Sequence, residues 1–373
     1  MKLKIILSFG IAGMLLVASC QNNQNASSTD GSAVDTNATD TTAKMLTPAG
    51  PEPEWAPGIN PEMLVVMEKL ASYNDRPIPE LTAVEARKNH TPTDAVMDVM
   101  KEHNIAMPVM EVDTMGKEIP VTGGTIHARV YTPKGDGPFP VIVYYHGGGF
   151  VIANIDVYDA SAKALAHQVG AVVVSVAYRL APEHKFPVAH NDAFAAYDWV
   201  VKNAGSLKGD PKKIAVAGES AGGNLAVNTA IKARDSKIML PTAILAVYPV
   251  ASADMNSEAY VKNAKAKPLD KPMMLWFVKN YLNNMGEAKD PRINLVAANL
   301  KGLPATTIIT AQFDPLQSDG MQLEEKLKAA GVTVNSKNYD GVTHEFFGMG
   351  AVVPQAKDAM AYAASQLKTA FNK

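Results

Sequence analysis

Lys213-Ile214-Ala215-Val216-Ala217-Gly218-Glu219-Ser220-Ala221-Gly222-Gly223-Asn224-Leu225-Ala226-Val227 is the stretch on which the fold turns. Its first five residues are a short apolar run of β type, and the residues from Gly223 to Ile231 read as a helix. Between them lies G-x-S-x-G, here Gly218-Glu219-Ser220-Ala221-Gly222. Strand, sharp turn and helix make that pentapeptide a nucleophile elbow rather than a chance glycine-serine turn. Such a turn pushes the serine out of the backbone, so its hydroxyl meets substrate unhindered. The flanking glycines carry no Cβ and let neighbouring elements approach. The helix N-terminus aims free N–H groups and a partial positive charge at an oxyanion forming beside Ser220.

Working outward, residues 139–145 and 171–178 are nearly all-apolar runs of the kind that form strands buried on both faces. Further strands are expected at 243–248, 306–312 and 332–339. Residues 109–115 and 125–131 should pair through a Gly123-Gly124 turn. Helices are expected at 189–201 and 316–330. A last helix carries Met360, Ala363, Ala364, Leu367 and Phe371 on one face. Strands alternate with helices, and most connections are too long for hairpins. The pattern predicts an α/β fold with a mainly parallel sheet and helices on both sides.

Composition bounds the function. The 373 residues are 47% hydrophobic and 19% charged, ample for a core, and the formal charge of −2 offers no basic field for a nucleic acid. Cys20 is the single cysteine, which excludes an intrachain disulfide and a thiolate zinc cluster. No H-E-x-x-H spacing occurs, and neither a metal nor a cofactor is expected.

Lys2 and Lys4 precede an apolar run over 5–17 and then Ala18-Ser19-Cys20, the layout of a secretory signal. Val17-Ala18-Ser19-Cys20 is similar to a bacterial lipobox. Residues 1–20 are therefore expected to be a signal peptide, with Cys20 lipidated, and a soluble exported protein is the alternative. Gln21, rather than Asp, after the cysteine suits outer-membrane sorting. Residues 21–50, rich in Asn, Ser, Thr, Asp and Ala, should be a flexible linker.

Residues 51–107 should form a small helical cap. One helix starts at Asn60-Pro61 and shows Met63, Met67 and Leu70 on one face; Thr82 to Glu85 has capping-box spacing; a third helix carries Val96, Met97 and Met100. Residues 108–373 form the catalytic domain, interrupted at about 252–290 by an insertion in which Asp270 caps a helix with Trp276 and Phe277. That insertion follows a strand's carboxyl end, the face on which open α/β sheets bind ligands.

A serine hydroxyl needs a base, and the base needs an acid to hold its tautomer. The α/β-hydrolase order is Ser, acid, His. His344 is the sole histidine after Ser220 and follows a strand. Asp314 directly follows the 306–312 strand and is taken as the acid. Asp319, inside the next helix, and Asp340, close to His344 in sequence, read as solvated charges. His146-Gly147-Gly148-Gly149 ends another strand, and an HGGG-type loop supplies oxyanion donors. Those donors would be the N–H groups of Gly147, Gly148 and Ala221. The loop lacks the Lys-Ser/Thr of a phosphate cradle.

With these pieces together, the chain resembles the hormone-sensitive-lipase-like branch of α/β-hydrolase carboxylesterases, the bacterial family IV. The resemblance rests on His146-Gly147-Gly148-Gly149-Phe150, Tyr178-Arg179-Leu180-Ala181-Pro182-Glu183-His184-Lys185-Phe186-Pro187, Gly218-Glu219-Ser220-Ala221-Gly222-Gly223-Asn224, Asp314-Pro315-Leu316 and Gly341-Val342-Thr343-His344-Glu345-Phe346. It implies an eight-stranded sheet with an antiparallel second strand, a helical cap, and hydrolysis of short- to medium-chain esters without a cofactor. The partner is then a small-molecule ester, with a homodimer as one option and membrane contact only through the N-terminal lipid. Glu219, Trp276 and Phe277 are the residues expected at the substrate. Two departures stand out. Glu345 occupies a position where Gly or Ala is frequent, so the loop beside the base should be more acidic or tighter, and Glu219 replaces the common Asp. An amidase or acyltransferase would use the same residues, and a non-catalytic receptor would keep the pocket.

Overall fold

The computed structural model describes residues 46–372. The expected signal peptide, lipidated Cys20 and the linker as far as residue 45 lie outside the described residues. The chain begins with α1 (Pro61–Ser72), α2 (Ala83–Ala86) and α3 (Pro92–Glu102), followed by the strands β1 (Val112–Val121), β2 (Gly124–Pro133) and β3 (Phe139–Tyr145). Then come α4 (Asp159–Val169), β4 (Val172–Val176), α5 (Val188–Asn203), β5 (Gly209–Glu219), α6 (Ala221–Asp235) and β6 (Ile244–Val247). Helices α7 (Glu258–Lys262) and α8 (Lys271–Tyr281) precede β7 (Thr306–Phe313), α9 (Gln317–Ala329), β8 (Val334–Thr343) and α10 (Pro354–Phe371).

The eight strands form one sheet in the order β1-β2-β4-β3-β5-β6-β7-β8. β2 runs antiparallel to both its neighbours, and every pair from β4 to β8 is parallel. The period-2 rule explains how an all-apolar strand serves two cores. In β3, Val141, Val143 and Tyr145 enter the core shared with α5, α6 and α9, while Ile142 and Tyr144 enter the one shared with α4 and α10. The first strand begins at Val112 and runs to Val121, later than the expected 109–115. Most of its residues are exposed, so apolar patterning carried no register; ten residue pairs with β2 set it.

Two capping boxes anchor the N-terminal region. Thr82 and Thr91 each accept from the N–H three residues on, and Glu85 and Asp94 reach back to the cap N–H groups. Asn60 stands at the start of α1 without a side-chain cap; its N–H donates instead to Gly341 O at 2.8 Å, docking α1 on the end of β8. The expected linker runs too far by five residues. Leu46 is buried, and the N–H groups of Ala49 and Gly50 donate to Glu68. One large apolar side chain and a paired carboxylate suffice to hold that segment. In the insertion, Asp270 caps α8 by accepting from Met273 N at 2.8 Å, and Trp276 Nε1 donates to Leu81 O at 2.9 Å, so insertion and N-terminal region meet. No described helix is long and apolar enough to cross a membrane.

Candidate active site

β5 delivers the elbow. Ser220 has φ 55° and ψ −116°, a region that costs a non-glycine residue about 1–3 kcal/mol unless its surroundings enforce it. They do so from two sides. The Ser220 N–H donates to Val247 O at 2.8 Å on the neighbouring strand, and its C=O accepts from Asn224 N at 3.1 Å and Val250 N at 3.2 Å. α6 starts at the next residue, so its first amides, Ala221 foremost, have no partner within the helix. Glycine at 222 is obligatory here, since a Cβ would lie 1.9 Å from Tyr145 O on β3. Ser220 lines a cavity of about 830 Å³ together with Gly148, Gly149, His344 and Glu345.

Sheet register brings the expected acid and base together. β7 and β8 pair in parallel with Phe313 opposite Thr343, so the residues that follow, Asp314 and His344, emerge side by side. His344 Nδ1 lies 2.7 Å from Asp314 Oδ2, with both side chains buried. The second carboxylate oxygen of Asp314 accepts from Leu316 N at 2.8 Å. Burial alone would lower the His344 pKa, but the Asp314 charge and its hydrogen bond outweigh it, and the net direction is upward.

Neither rival carboxylate reaches His344. Asp340 is exposed at the sheet rim and accepts from Asn338 Nδ2. Asp319 is not the solvated charge the sequence suggested: it is fully buried in the first turn of α9, and its Oδ2 accepts from Ala251 N at 2.9 Å and Ser252 N at 2.8 Å. Burial pushes its carboxyl up to about 8, against those two hydrogen bonds. It holds the loop that leaves β6 and carries Val250 into the cavity wall.

The glycine loop ends β3. Gly148 and Gly149 line the cavity, and Gly147, at the start of the loop, abuts the Tyr158 hydroxyl. No backbone carbonyl among the described residues takes the N–H of Gly147, Gly148 or Gly149. Gly148, at φ +95°, is glycine for conformation as well as space, because a Cβ would meet Ile152 O at 2.1 Å. His146 anchors the loop: its ring stacks on Tyr178 at 4.3 Å, and burial pushes it down to about 4, keeping it neutral.

Two of the residues expected at the substrate sit elsewhere. Glu219 points under the elbow, where the hydroxyls of Tyr144 and Tyr248 donate to its two oxygens; it does not line the cavity. Burial pushes it up to about 7, against those hydroxyls. Trp276 turns from the cavity toward Leu81, whereas its neighbour Phe277 lines it and packs on Gly149. Along a helix, adjacent residues face about 100° apart, and here the Trp276 direction is the one that meets Leu81. Glu345 has φ 70°, lines the cavity, and takes the Tyr158 hydroxyl on both oxygens at 2.6 and 2.7 Å. Sequence reasoning missed Tyr144, Tyr158 and Tyr248. Tyr144 and Tyr248 lie 75 and 29 residues from Glu219, and no local spacing signals such pairs.

A strand-borne serine at a helix N-terminus, with a histidine-carboxylate pair at adjoining strand ends whose histidine lines the same cavity, defines an α/β-type hydrolase. A family model described as alpha/beta hydrolase fold matches residues 142–348. The carboxylesterase NlhH of Mycobacterium tuberculosis is 39% identical over 252 residues, 66% of this chain and 79% of that protein. The ethyl acetate hydrolase of Pseudomonas putida is 29% identical over 314 residues, 81% and 96% of the two chains. Among solved structures, the Pyrobaculum calidifontis esterase superposes with a TM-score of 0.74 at 35% identity, covering 80% of this chain and 97% of that one. The chain belongs to the α/β-hydrolase fold family, in its hormone-sensitive-lipase-like branch, and is a hydrolase of the carboxylesterase type.

Proposed function

We propose that the protein hydrolyses short- to medium-chain carboxylic esters through an acyl-enzyme on Ser220. The observation that carries the reading is the buried His344–Asp314 pair at adjoining strand ends, with His344 lining the same cavity as Ser220. Ser220 attacks the ester carbonyl while His344 Nε2 takes its proton. Asp314, on Nδ1, fixes the tautomer and offsets the imidazolium charge. The oxyanion rests on the N–H groups of Gly147, Gly148 and Ala221, each donor worth on the order of 3 kcal/mol in the transition state. His344 then protonates the leaving alcohol, activates water, and the acyl group is released. A screen of p-nitrophenyl esters beside anilides and peptides tests the reading: esters should dominate, and turnover of amides alone would make it an amidase.

The direction of the His344 pKa sets the pH profile. A general base works only when neutral, and His344 is protonated below its pKa, so raising that pKa moves the acid limb toward higher pH. The midpoint of kcat/KM against pH should lie above the ordinary histidine value of 6.5. A midpoint below about 6 would mean that burial, not Asp314, governs the ring.

Acyl length follows from the cavity. The N-terminal region contributes Met67, Leu70 and Ile78 to its wall, and the insertion contributes Met273, Phe277 and Val278. Each buried CH₂ contributes about 0.8 kcal/mol until the tail meets that wall, after which packed side chains must move. Activity should rise from acetate toward butyrate or hexanoate and fall beyond about ten carbons. The Pseudomonas putida relative's name points the same way, as ethyl acetate is a short ester. Phe277→Ala should move the limit upward, and Trp276→Ala, off the wall, should not. Efficient hydrolysis of emulsified long-chain triglyceride would contradict a closed pocket.

The N-terminal sequence supports export and lipid attachment at Cys20, with the enzyme held at a bacterial membrane surface. Cys20→Ala should yield an active enzyme without the anchor, because the cavity draws on no described residue before Met67. Mass spectrometry of the mature N-terminus decides it, and an unmodified Cys20 would refute it.

A further inference from the structure

We propose that Glu345 selects the leaving alcohol, favouring one with a hydroxyl on the carbon next to the ester-bearing carbon and rejecting an anionic one. The inference rests on the catalytic reading above and names the substrate class of that same site: monoesters of vicinal diols and polyols.

The geometry is specific to one side of the reaction. Asp314 occupies His344 Nδ1, so Nε2 is the atom that hands its proton to the departing alkoxide. Glu345 Oε1 lies 3.8 Å from that nitrogen. A leaving oxygen within about 3 Å of Nε2 is no more than about 7 Å from Glu345 Oε1, close enough for a hydroxyl on the next carbon to reach the carboxylate. In the neutral ring, Nε2 carries no proton and gives this carboxylate nothing. Among the described residues its fixed hydrogen-bond partner is a single hydroxyl, that of Tyr158, shared between both oxygens at 2.6 and 2.7 Å. An ionised carboxylate has about four acceptor positions, so capacity is left over on a group one-fifth exposed to the cavity. The cavity wall also includes Gly148, Gly149, Ile152, Val157 and Phe277, with Asn154, Arg87 and Lys267 among its polar members. In that setting, an acceptor with spare lone pairs rewards a donor on the leaving group and repels a negative charge.

Glu345 is also held in place. It sits at φ 70° with its carboxylate tethered by Tyr158, whose hydroxyl lies against Gly147 at the start of the glycine loop. Stabilising the imidazolium is a separate effect of the same charge. That effect would speed or slow every ester alike, whereas recognition of the leaving group changes the ratio between esters of one acid. The two are therefore separable in a single experiment.

The test uses the full-length protein at about pH 8 and three butyrate esters, those of 1-propanol, 1,2-ethanediol and glycolic acid, with p-nitrophenyl butyrate as reference. In the wild type the glycolate ester should be hydrolysed more slowly than the propyl ester, although glycolate is the better leaving group. Faster turnover of the glycolate ester would overturn the proposal without any variant. Glu345→Ala should lower the hydroxyethyl-to-propyl ratio of kcat/KM by about tenfold, the effect of losing a hydrogen bond to a charged group. Glu345→Gln keeps an acceptor oxygen but no charge, so it should retain much of the hydroxyethyl preference and lift the glycolate penalty. Ratios within about twofold of wild type in both variants, whatever the absolute rates, would reduce Glu345 to a structural partner of Tyr158. Absence of p-nitrophenyl butyrate turnover in the wild type would instead fail the catalytic reading itself.

Discussion

Ser220→Ala lowers kcat on p-nitrophenyl butyrate by at least about three orders of magnitude and leaves the thermal melt near that of the wild type. The rate falls because no other nucleophile stands at the helix N-terminus. What survives is the catalysis that binding and oxyanion donors give to water. The melt is spared because the elbow is held through backbone: Ser220 N to Val247 O, and Ser220 O to Asn224 N and Val250 N. Its side chain faces the cavity. His344→Ala should cost a similar factor, and the double variant little more than either, since the two act as one unit. Near-wild-type turnover by folded Ser220→Ala protein would end the assignment.

The second large effect is expected of Asp314→Asn. An amide at this position presents N–H to His344 Nδ1 and so favours the tautomer with its proton on Nε2, which cannot take one from serine. The loss in the serine-hydrolase template is about 10⁴-fold in kcat, with the geometry intact. Asp319→Asn makes the contrast. It keeps an oxygen for the Ala251 and Ser252 N–H groups and removes a carboxyl that burial already drives toward neutrality, so kcat should change by less than about threefold. Asp340→Asn, at an exposed rim, should be silent. Steady-state kinetics on the three variants decide the acid, and a greater loss in Asp319→Asn than in Asp314→Asn would overturn the choice.

Legibility in the sequence tracked how strongly each segment is buried. β3 was readable to the residue at both ends, because 139–145 is apolar throughout and serves both cores. β1 was displaced because its face is mostly solvent and the register comes from β2. α4 went unread. Its Asp-Ala-Ser-Ala-Lys-Ala-Leu-Ala run has small residues where it packs, and only the need to cross between parallel β3 and β4 demands a helix there.

The site divided in the same way. Ser220, Asp314, His344 and the glycine loop could be found from chain order and strand ends, because sheet topology converts those positions into proximity. Glu219 and Trp276 could not be placed, since a residue's direction at a tight turn or around a short helix depends on what packs beneath it. The tyrosines that hold Glu219, and the Tyr158–Glu345 tie, join residues up to 187 positions apart and exist only in the folded chain.

The most direct test of the central claim is to react the protein with a p-nitrophenyl alkylphosphonate and map the adduct by peptide mass spectrometry. Attack by an activated serine releases one p-nitrophenolate per active site and leaves the phosphonyl group on the peptide that contains Ser220, with His344→Ala labelled far more slowly. A stoichiometric adduct on any other residue, or undiminished ester turnover by protein fully labelled at Ser220, would contradict the account.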